Sequence, residues 1–269
     1  MNRLGMVGGG AMGSALLNGI IQAGLFKPDT VFLAETDQSK REALQKRLGL
    51  KLCGSLGELA RECQLIVLAV KPQVLPAVLR ELGPAVTPGH LLISIAAGIS
   101  LATLKKQVPQ GRFVRVMPNT PARIRRGVAA YAIGENITPA EAEQVEAIFS
   151  CVGQAISVSE HLMDAVTALS GSGPAYVYYL IEALIDSGVL LGLGRDQAQT
   201  LAIETFIGAA EMLKQTGEHP ARLRNDVTSP GGTTAAALFE LEKAGVSGIL
   251  MTAVQAAARR SAELNRNSE

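Results

Sequence analysis

Through the first part of the chain, short uninterrupted apolar runs alternate with longer stretches in which apolar and polar positions recur at helical spacing. Arg3–Val7, Val31–Ala34, Leu65–Val70, Leu91–Ile95 and Phe113–Met117 read as buried strands, and Met12–Ala23, Gln38–Leu48 and Leu101–Gln107 as helices between them. This βαβ alternation forces right-handed crossovers and a mostly parallel sheet covered by helices on both faces, with ligands at the C-terminal strand ends. After about residue 160 the pattern becomes helical throughout: Leu162–Ala168, Pro174–Leu191, Arg195–Gln215 and Thr234–Arg266, the last with a break near Gly245. The expected architecture is therefore α/β, a doubly wound sheet over residues 1–160 followed by an all-helical domain over 161–269. No Gly/Ser-rich or Pro-rich linker separates them, and no internal repeat is visible. The Pro174–Leu191 stretch is apolar nearly all round, which in a water-soluble chain requires burial on several sides. A helical domain of this size meets that requirement by packing against a second subunit.

Composition narrows the function classes. With 25 basic and 24 acidic residues the formal charge is +1, so the chain lacks the basic excess that nucleic-acid backbones demand. Aromatic residues make up 4% and there is no Trp, which removes the usual stacking platforms for sugars and bases. Cys53, Cys63 and Cys151 form an odd set without CxxC spacing, a poor basis for disulfides or a zinc site, so a reducing compartment is expected and no metal. The N-terminus enters its first strand without a secretory h-region, and the apolar Tyr176–Leu193 stretch carries Glu182 and Asp186. A cytoplasmic protein that neither spans nor binds a membrane is the expectation.

Two glycine-rich segments carry the chemistry. In Val7-Gly8-Gly9-Gly10-Ala11-Met12-Gly13, the glycines Gly8, Gly10 and Gly13 fit G-x-G-x-x-G directly after a strand and at the start of a helix. The first glycine permits the tight turn, the second lets a pyrophosphate approach the backbone, and the third lets helix and strand pack closely. That is the Rossmann dinucleotide fingerprint; a plain glycine-rich turn is the alternative. The next strand ends at Glu35, whose carboxylate suits the ribose hydroxyls of NAD and opposes the 2′-phosphate of NADP. Against this, Glu35 can face solvent while Lys40 and Arg41 hold the phosphate. Lys71 and Ala96-Ala97-Gly98 follow two further strands on the nicotinamide edge, and Asn119, in a stiff Pro118–Pro121 turn, either hydrogen-bonds the nicotinamide side or caps that turn. The second segment, Asp226-Val227-Thr228-Ser229-Pro230-Gly231-Gly232-Thr233-Thr234, bares the backbone where a helix begins. Amides of Gly232, Thr233 and Thr234 with the hydroxyls of Ser229, Thr233 and Thr234 suit a small carboxylate; an empty N-cap is the bland alternative.

The second segment, together with Leu68-Ala69-Val70-Lys71-Pro72, Met117-Pro118-Asn119-Thr120-Pro121 and Ala168-Leu169-Ser170-Gly171-Ser172-Gly173-Pro174-Ala175-Tyr176, resembles the signatures of the pyrroline-5-carboxylate reductase family in order and spacing. The resemblance implies a reductase that delivers hydride from NADPH or NADH to the C=N bond of 1-pyrroline-5-carboxylate, the last step of proline biosynthesis. It implies that Val7, Gly8, Gly9, Gly10, Ala11 and Met12, Ala69–Pro72, and Ile95, Ala96 and Ala97 line the cofactor. It likewise puts Val227, Ser229, Gly232, Thr233 and Thr234 at the imino acid, with Glu160 and Asp226 near bound ligand or cofactor. The helical domain would then be a dimerisation domain completing the active site from the neighbouring subunit, with dimers in many members assembled into rings. Many members carry an Asn-Arg or Ser-Ser pair where this chain has Glu35-Thr36, a departure that favours NADH here.

The signature contains no His, Cys or metal-ligand cluster; His90, His161 and His219 are scattered and read as structural or surface residues. Catalysis is therefore expected to rest on orientation, with Thr234 hydrogen-bonded to the imine nitrogen. A small hydroxy-acid dehydrogenase of similar build would need a Lys or His base near the nicotinamide. A non-catalytic NAD(P)-sensing regulator would not need the Ser229–Thr234 hydroxyls.

Overall fold

The computed structural model describes residues 3–266. Its strands are β1 (Leu4–Val7), β2 (Val31–Ala34), β3 (Lys51–Leu52), β4 (Leu65–Leu68), β5 (Leu91–Ser94), β6 (Arg112–Pro118), β7 (Gly127–Ile133) and β8 (Gly153–Ser157). The helices between them are α1 (Ala11–Gln22), α2 (Gln38–Leu48), α3 (Leu56–Glu62), α4 (Leu75–Leu82), α5 (Leu101–Gln107) and α6 (Pro139–Ser150). Then follow α7 (Met163–Val166), α8 (Gly173–Leu190), α9 (Arg195–Thr216), α10 (Pro220–Asp226), α11 (Thr233–Lys243) and α12 (Val246–Arg266).

The strands form one sheet in the order β3-β2-β1-β4-β5-β6-β7-β8. The pairs from β3 to β6 are all parallel; β7 runs antiparallel to β6, and β8 parallel to β7. Strand order reverses direction between β1 and β4, the switch point where a crevice opens at the carboxyl ends of the strands. Because side chains alternate across a strand, Leu4, Met6, Leu65, Val67, Leu91 and Ile93 enter one core. Val7, Ile66, Leu68 and Leu92 enter the other, on the opposite face. With both faces covered, β4 reads Leu-Ile-Val-Leu without a polar position, and all four residues are buried.

All five strands expected from apolar runs are present. The three that were not signalled have local reasons. Strand β3 is two residues at one edge, β7 is rich in small residues, and β8 closes the other edge with a polar, largely exposed Gly-Gln-Ala-Ile-Ser. Local side-chain chemistry sets the helix starts: Asp37, Ser55 and Ser100 accept from the backbone of the first turn, and Thr138 forms a capping box with Glu141. The helix expected over Leu162–Ala168 is instead the single α7 turn followed by a π-turn at Thr167–Gly171.

By contacts the chain forms two compact units, one running to Ser172 and including the chain from Ala256 onward, the other Gly173–Gln255. Within Gly173–Gln255 helices α8 and α9 form an antiparallel pair that closes where Gly188 meets Ala198. Only Ala198 and Ala202 are buried there, while Tyr178, Tyr179, Leu190, Leu191, Ile207, Phe239 and Met251 are exposed. The all-round apolar helix α8 contains no buried residue in the single chain. The break expected near Gly245 separates α11 from α12, with Gly245 at φ 69°.

Candidate active site

The turn after β1 is stitched to its neighbours by backbone bonds. Gly8 donates to the Ala34 carbonyl (2.9 Å) and Ala69 to the Val7 carbonyl (2.8 Å), so three strand ends share one edge at the switch point. Gly8 sits at φ 98°, and a Cβ on it would lie 2.5 Å from the Ala69 oxygen; a Cβ on Gly13 would collide with the Gly8 carbonyl. Both demand glycine for internal reasons. Gly10 does not: a Cβ there meets nothing within 4 Å. It faces open space at the N-terminus of α1, where no side chain caps the first amides. A backbone bared toward nothing in the protein, at a positive helix end, fits a dinucleotide pyrophosphate. Ala11 is exposed and Met12 half-buried in the first turn of α1. Val7 offers this edge only its backbone, since its side chain is buried in the core.

Glu35 folds back onto the glycine turn. One carboxylate oxygen accepts the Gly9 amide at 2.6 Å and the other the Asp37 amide at 2.8 Å. The carboxylate thus lies at the end of β2 where the adenosine ribose of a Rossmann cofactor would rest. Lys40 is drawn to Asp37 at 2.9 Å, so one of the two cations named as phosphate holders has a carboxylate partner.

The remaining strand ends fall on the same edge. Ala69 and Val70 are half-buried after β4, Lys71 is exposed, and the turn through Pro72 is held by the Val74 amide on the Lys71 carbonyl. After β5, Ile95 and Ala97 are half-buried, whereas Ala96 is buried and can meet a ligand only through backbone. Asn119 is braced within the fold: its carbonyl oxygen accepts Val128 N–H (2.9 Å) and its amide donates to the Ser170 carbonyl (3.1 Å). One N–H and one lone pair of its amide are not used in these two bonds.

In the second segment, α10 ends at Asp226, which is exposed with Val227, and the chain turns through Ser229–Gly231 into α11. Gly231 takes φ 68°, and the Ser229 hydroxyl leans over Gly232 where a Cβ would sit. One expected donor is corrected: the Gly232 amide is occupied by the Ser229 carbonyl at 3.0 Å. A turn this tight closes on itself. The outward donors are therefore those of the α11 first turn, including Thr233 and Thr234, which no side chain caps.

Glu160 is tied into the fold through one carboxylate oxygen. Its Oε1 accepts the Leu101 amide at 2.6 Å and lies 3.6 Å from the Arg115 guanidinium. Oε1 closes the start of α5 and faces a buried cation, while the side chain stays about one-third exposed.

Residues 160–264 match the family model for the pyrroline-5-carboxylate reductase dimerisation domain, and residues 3–98 match that for the coenzyme F420-dependent NADP oxidoreductases. A pyrroline-5-carboxylate reductase of Synechocystis is 46% identical over 98% of both chains. The chain belongs to the pyrroline-5-carboxylate reductase family. Among solved structures of this family, the Coxiella burnetii reductase superposes with a TM-score of 0.92 at 33% identity over 98% of both chains. The Plasmodium falciparum enzyme, solved with NADP bound, superposes with 0.86 at 37% identity over the same shares.

Burial raises the Cys53 thiol to about 11 and that of Cys63 to about 12, so neither is a thiolate near neutral pH. His90 is buried and held between Thr87 and the Ala60 carbonyl, and His219 caps α10. Among the described residues no group of three or more His, Cys, Asp or Glu is placed to hold a metal, and no helix is long and apolar enough to cross a membrane. The reductase sequence also held a signal that strand reading missed. Arg115 interrupts the apolar Phe113–Met117 run, and a lone cation inside a buried strand requires partners.

Proposed function

We propose that this chain reduces 1-pyrroline-5-carboxylate to L-proline as at least a homodimer, and that it uses NADH no less efficiently than NADPH. The observation carrying this reading is the pair of backbone-bared helix starts, Gly8–Gly13 and Gly231–Thr234, both intact in a chain akin to the reductases over nearly its whole length. Bound nicotinamide supplies the hydride. The chain supplies position: the α1 N-terminus holds the pyrophosphate, Glu35 the adenosine ribose, and Ala69–Pro72 with Ile95–Ala97 the nicotinamide side. Asp226, Val227, Ser229 and the α11 first turn hold the substrate, its carboxylate on the free amides and its ring nitrogen on the Thr234 hydroxyl. Holding the C=N carbon about 3–3.5 Å from the nicotinamide removes several kcal/mol of barrier. A threonine hydroxyl is too weak an acid to be the ultimate proton source, so Thr234 relays a proton from water or orients a substrate that enters protonated. Oxidation of NADH and NADPH in parallel with pyrroline-5-carboxylate tests the reading; no turnover with either would overturn it.

The cofactor preference rests on the Glu35 carboxylate. Within a few ångströms of a 2′-phosphate it opposes binding by about 1–2 kcal/mol at a partly exposed site. Glu35→Ser is expected to shift kcat/KM selectivity toward NADPH by about tenfold, since 1.4 kcal/mol is one decade. Strong preference of the wild type for NADPH, with a ratio untouched by the serine, would remove Glu35 from cofactor choice.

Assembly rests on the bare apolar faces of α8, α9 and α11. Exposed side chains such as Tyr178, Leu190 and Phe239 leave apolar surface in water that a second subunit would cover. Light scattering is expected to find a dimer or a ring of dimers; a stable, active monomer at working concentrations would contradict this.

A further inference from the structure

An ionic cluster around a buried guanidinium stands behind the loop that follows β5. Arg115 lies on β6 in register with Ser94, the last residue of β5, and is only 4% exposed. Its Nη1 is 3.6 Å from Glu160 Oε1, the atom that also accepts the Leu101 amide of α5, and its Nη2 donates to Asn265 Oδ1 at 3.4 Å. Asp164 completes the cluster by accepting from Ser261 Oγ (2.7 Å) and Asn265 Nδ2 (2.6 Å) near the end of α12. Between these anchors runs Ile95–Ser100. Its Gly98, at φ 70°, lies against Leu264 of the same helix, whose Cβ is 3.2 Å from where a glycine Cβ would be.

Burying a guanidinium is costly, and a well-packed apolar side chain in its place is often no less stable. What an apolar residue cannot do is bind two elements in fixed directions at once. We propose that Arg115 is a positioning residue for cofactor binding. Through Glu160 it fixes the first amide of α5, and through Asn265 it fixes the end of α12 against Gly98. The loop between them is thereby held at one distance from the nicotinamide half of the cofactor. Burial holds the guanidinium below its ordinary pKa, and the carboxylates of Glu160 and Asp164 oppose this in part. The proposal rests on the reading that Ile95–Ala97 line the nicotinamide side.

Its test compares NAD⁺ with ADP-ribose, which lacks the nicotinamide, as ligands of wild type, Arg115→Met and Arg115→Lys. The methionine variant is expected to bind NAD⁺ about tenfold more weakly and ADP-ribose within about twofold of wild type, one decade being about 1.4 kcal/mol. Its turnover with pyrroline-5-carboxylate should fall about ten- to a hundredfold, as a displaced near-attack geometry requires. Lysine should restore part of both. If Arg115→Met does not fold, Asn265→Ala removes one arm of the cluster and should show the same selective loss at about threefold. Equal weakening of both ligands, or no weakening of either, would reduce Arg115 to a structural ion pair. A wild type that binds NAD⁺ without reducing the imino acid would refute the proposed reaction, and the ligand comparison would still decide this one.

Discussion

Gly10→Val is expected to weaken binding of NADH and NADPH by at least about a hundredfold, about 2.7 kcal/mol, in a protein that remains folded. A Cβ at residue 10 meets no protein atom, and the backbone there (φ −65°, ψ −169°) is open to any residue. The folded state therefore loses little beyond the difference between glycine and valine as an N-cap, and Tm should fall by no more than about 4 °C. The branched side chain instead fills the space in front of the uncapped α1 amides, which a pyrophosphate must occupy. Gly13→Val is the contrast, since its Cβ meets the Gly8 carbonyl; it should lose cofactor affinity and stability together. Isothermal titration with each cofactor, beside thermal melts, separates the two. Unchanged affinity in Gly10→Val would remove the α1 N-terminus from cofactor binding.

Thr234→Ala is expected to lower kcat with pyrroline-5-carboxylate by about ten- to a thousandfold, corresponding to about 1.4–4 kcal/mol of transition-state hydrogen bonding. Thr234 lies in the first turn of α11, a position where alanine is the better helix former. No loss of stability should accompany the loss of rate, and cofactor affinity should be unchanged. Thr234→Ser keeps the hydroxyl and should stay within about threefold of wild type. Complete loss of turnover in the alanine variant would make Thr234 an obligatory proton donor; an unchanged rate would remove it from the mechanism.

These two predictions differ in how much of them could be read without coordinates. That Gly8, Gly10 and Gly13 serve a dinucleotide turn follows from spacing after an apolar run. That Gly10 alone is dispensable to the fold follows only from where its absent Cβ would point. For the α11 segment, residue types suggested a row of free amides. The turn that takes up the Gly232 amide depends on the positive φ of Gly231, 68°, which glycine leaves open.

Local order along the chain by itself determined the alternating strands and helices, the break at Gly245 and the two glycine-rich helix starts. Each depends on residues within a few positions of one another: apolar runs, caps, and glycines able to take positive φ. The tertiary structure decided what depends on distant partners. It turned Glu35 back onto Gly9, engaged Asn119 with Val128 and Ser170, and made β7 antiparallel. It also joined Glu160 to Leu101 and Arg115, across 59 residues for the first pair. A carboxylate or amide takes whichever donor the fold brings within about 3 Å, and which donor that is depends on the packing of both sheet faces rather than on the neighbours in sequence.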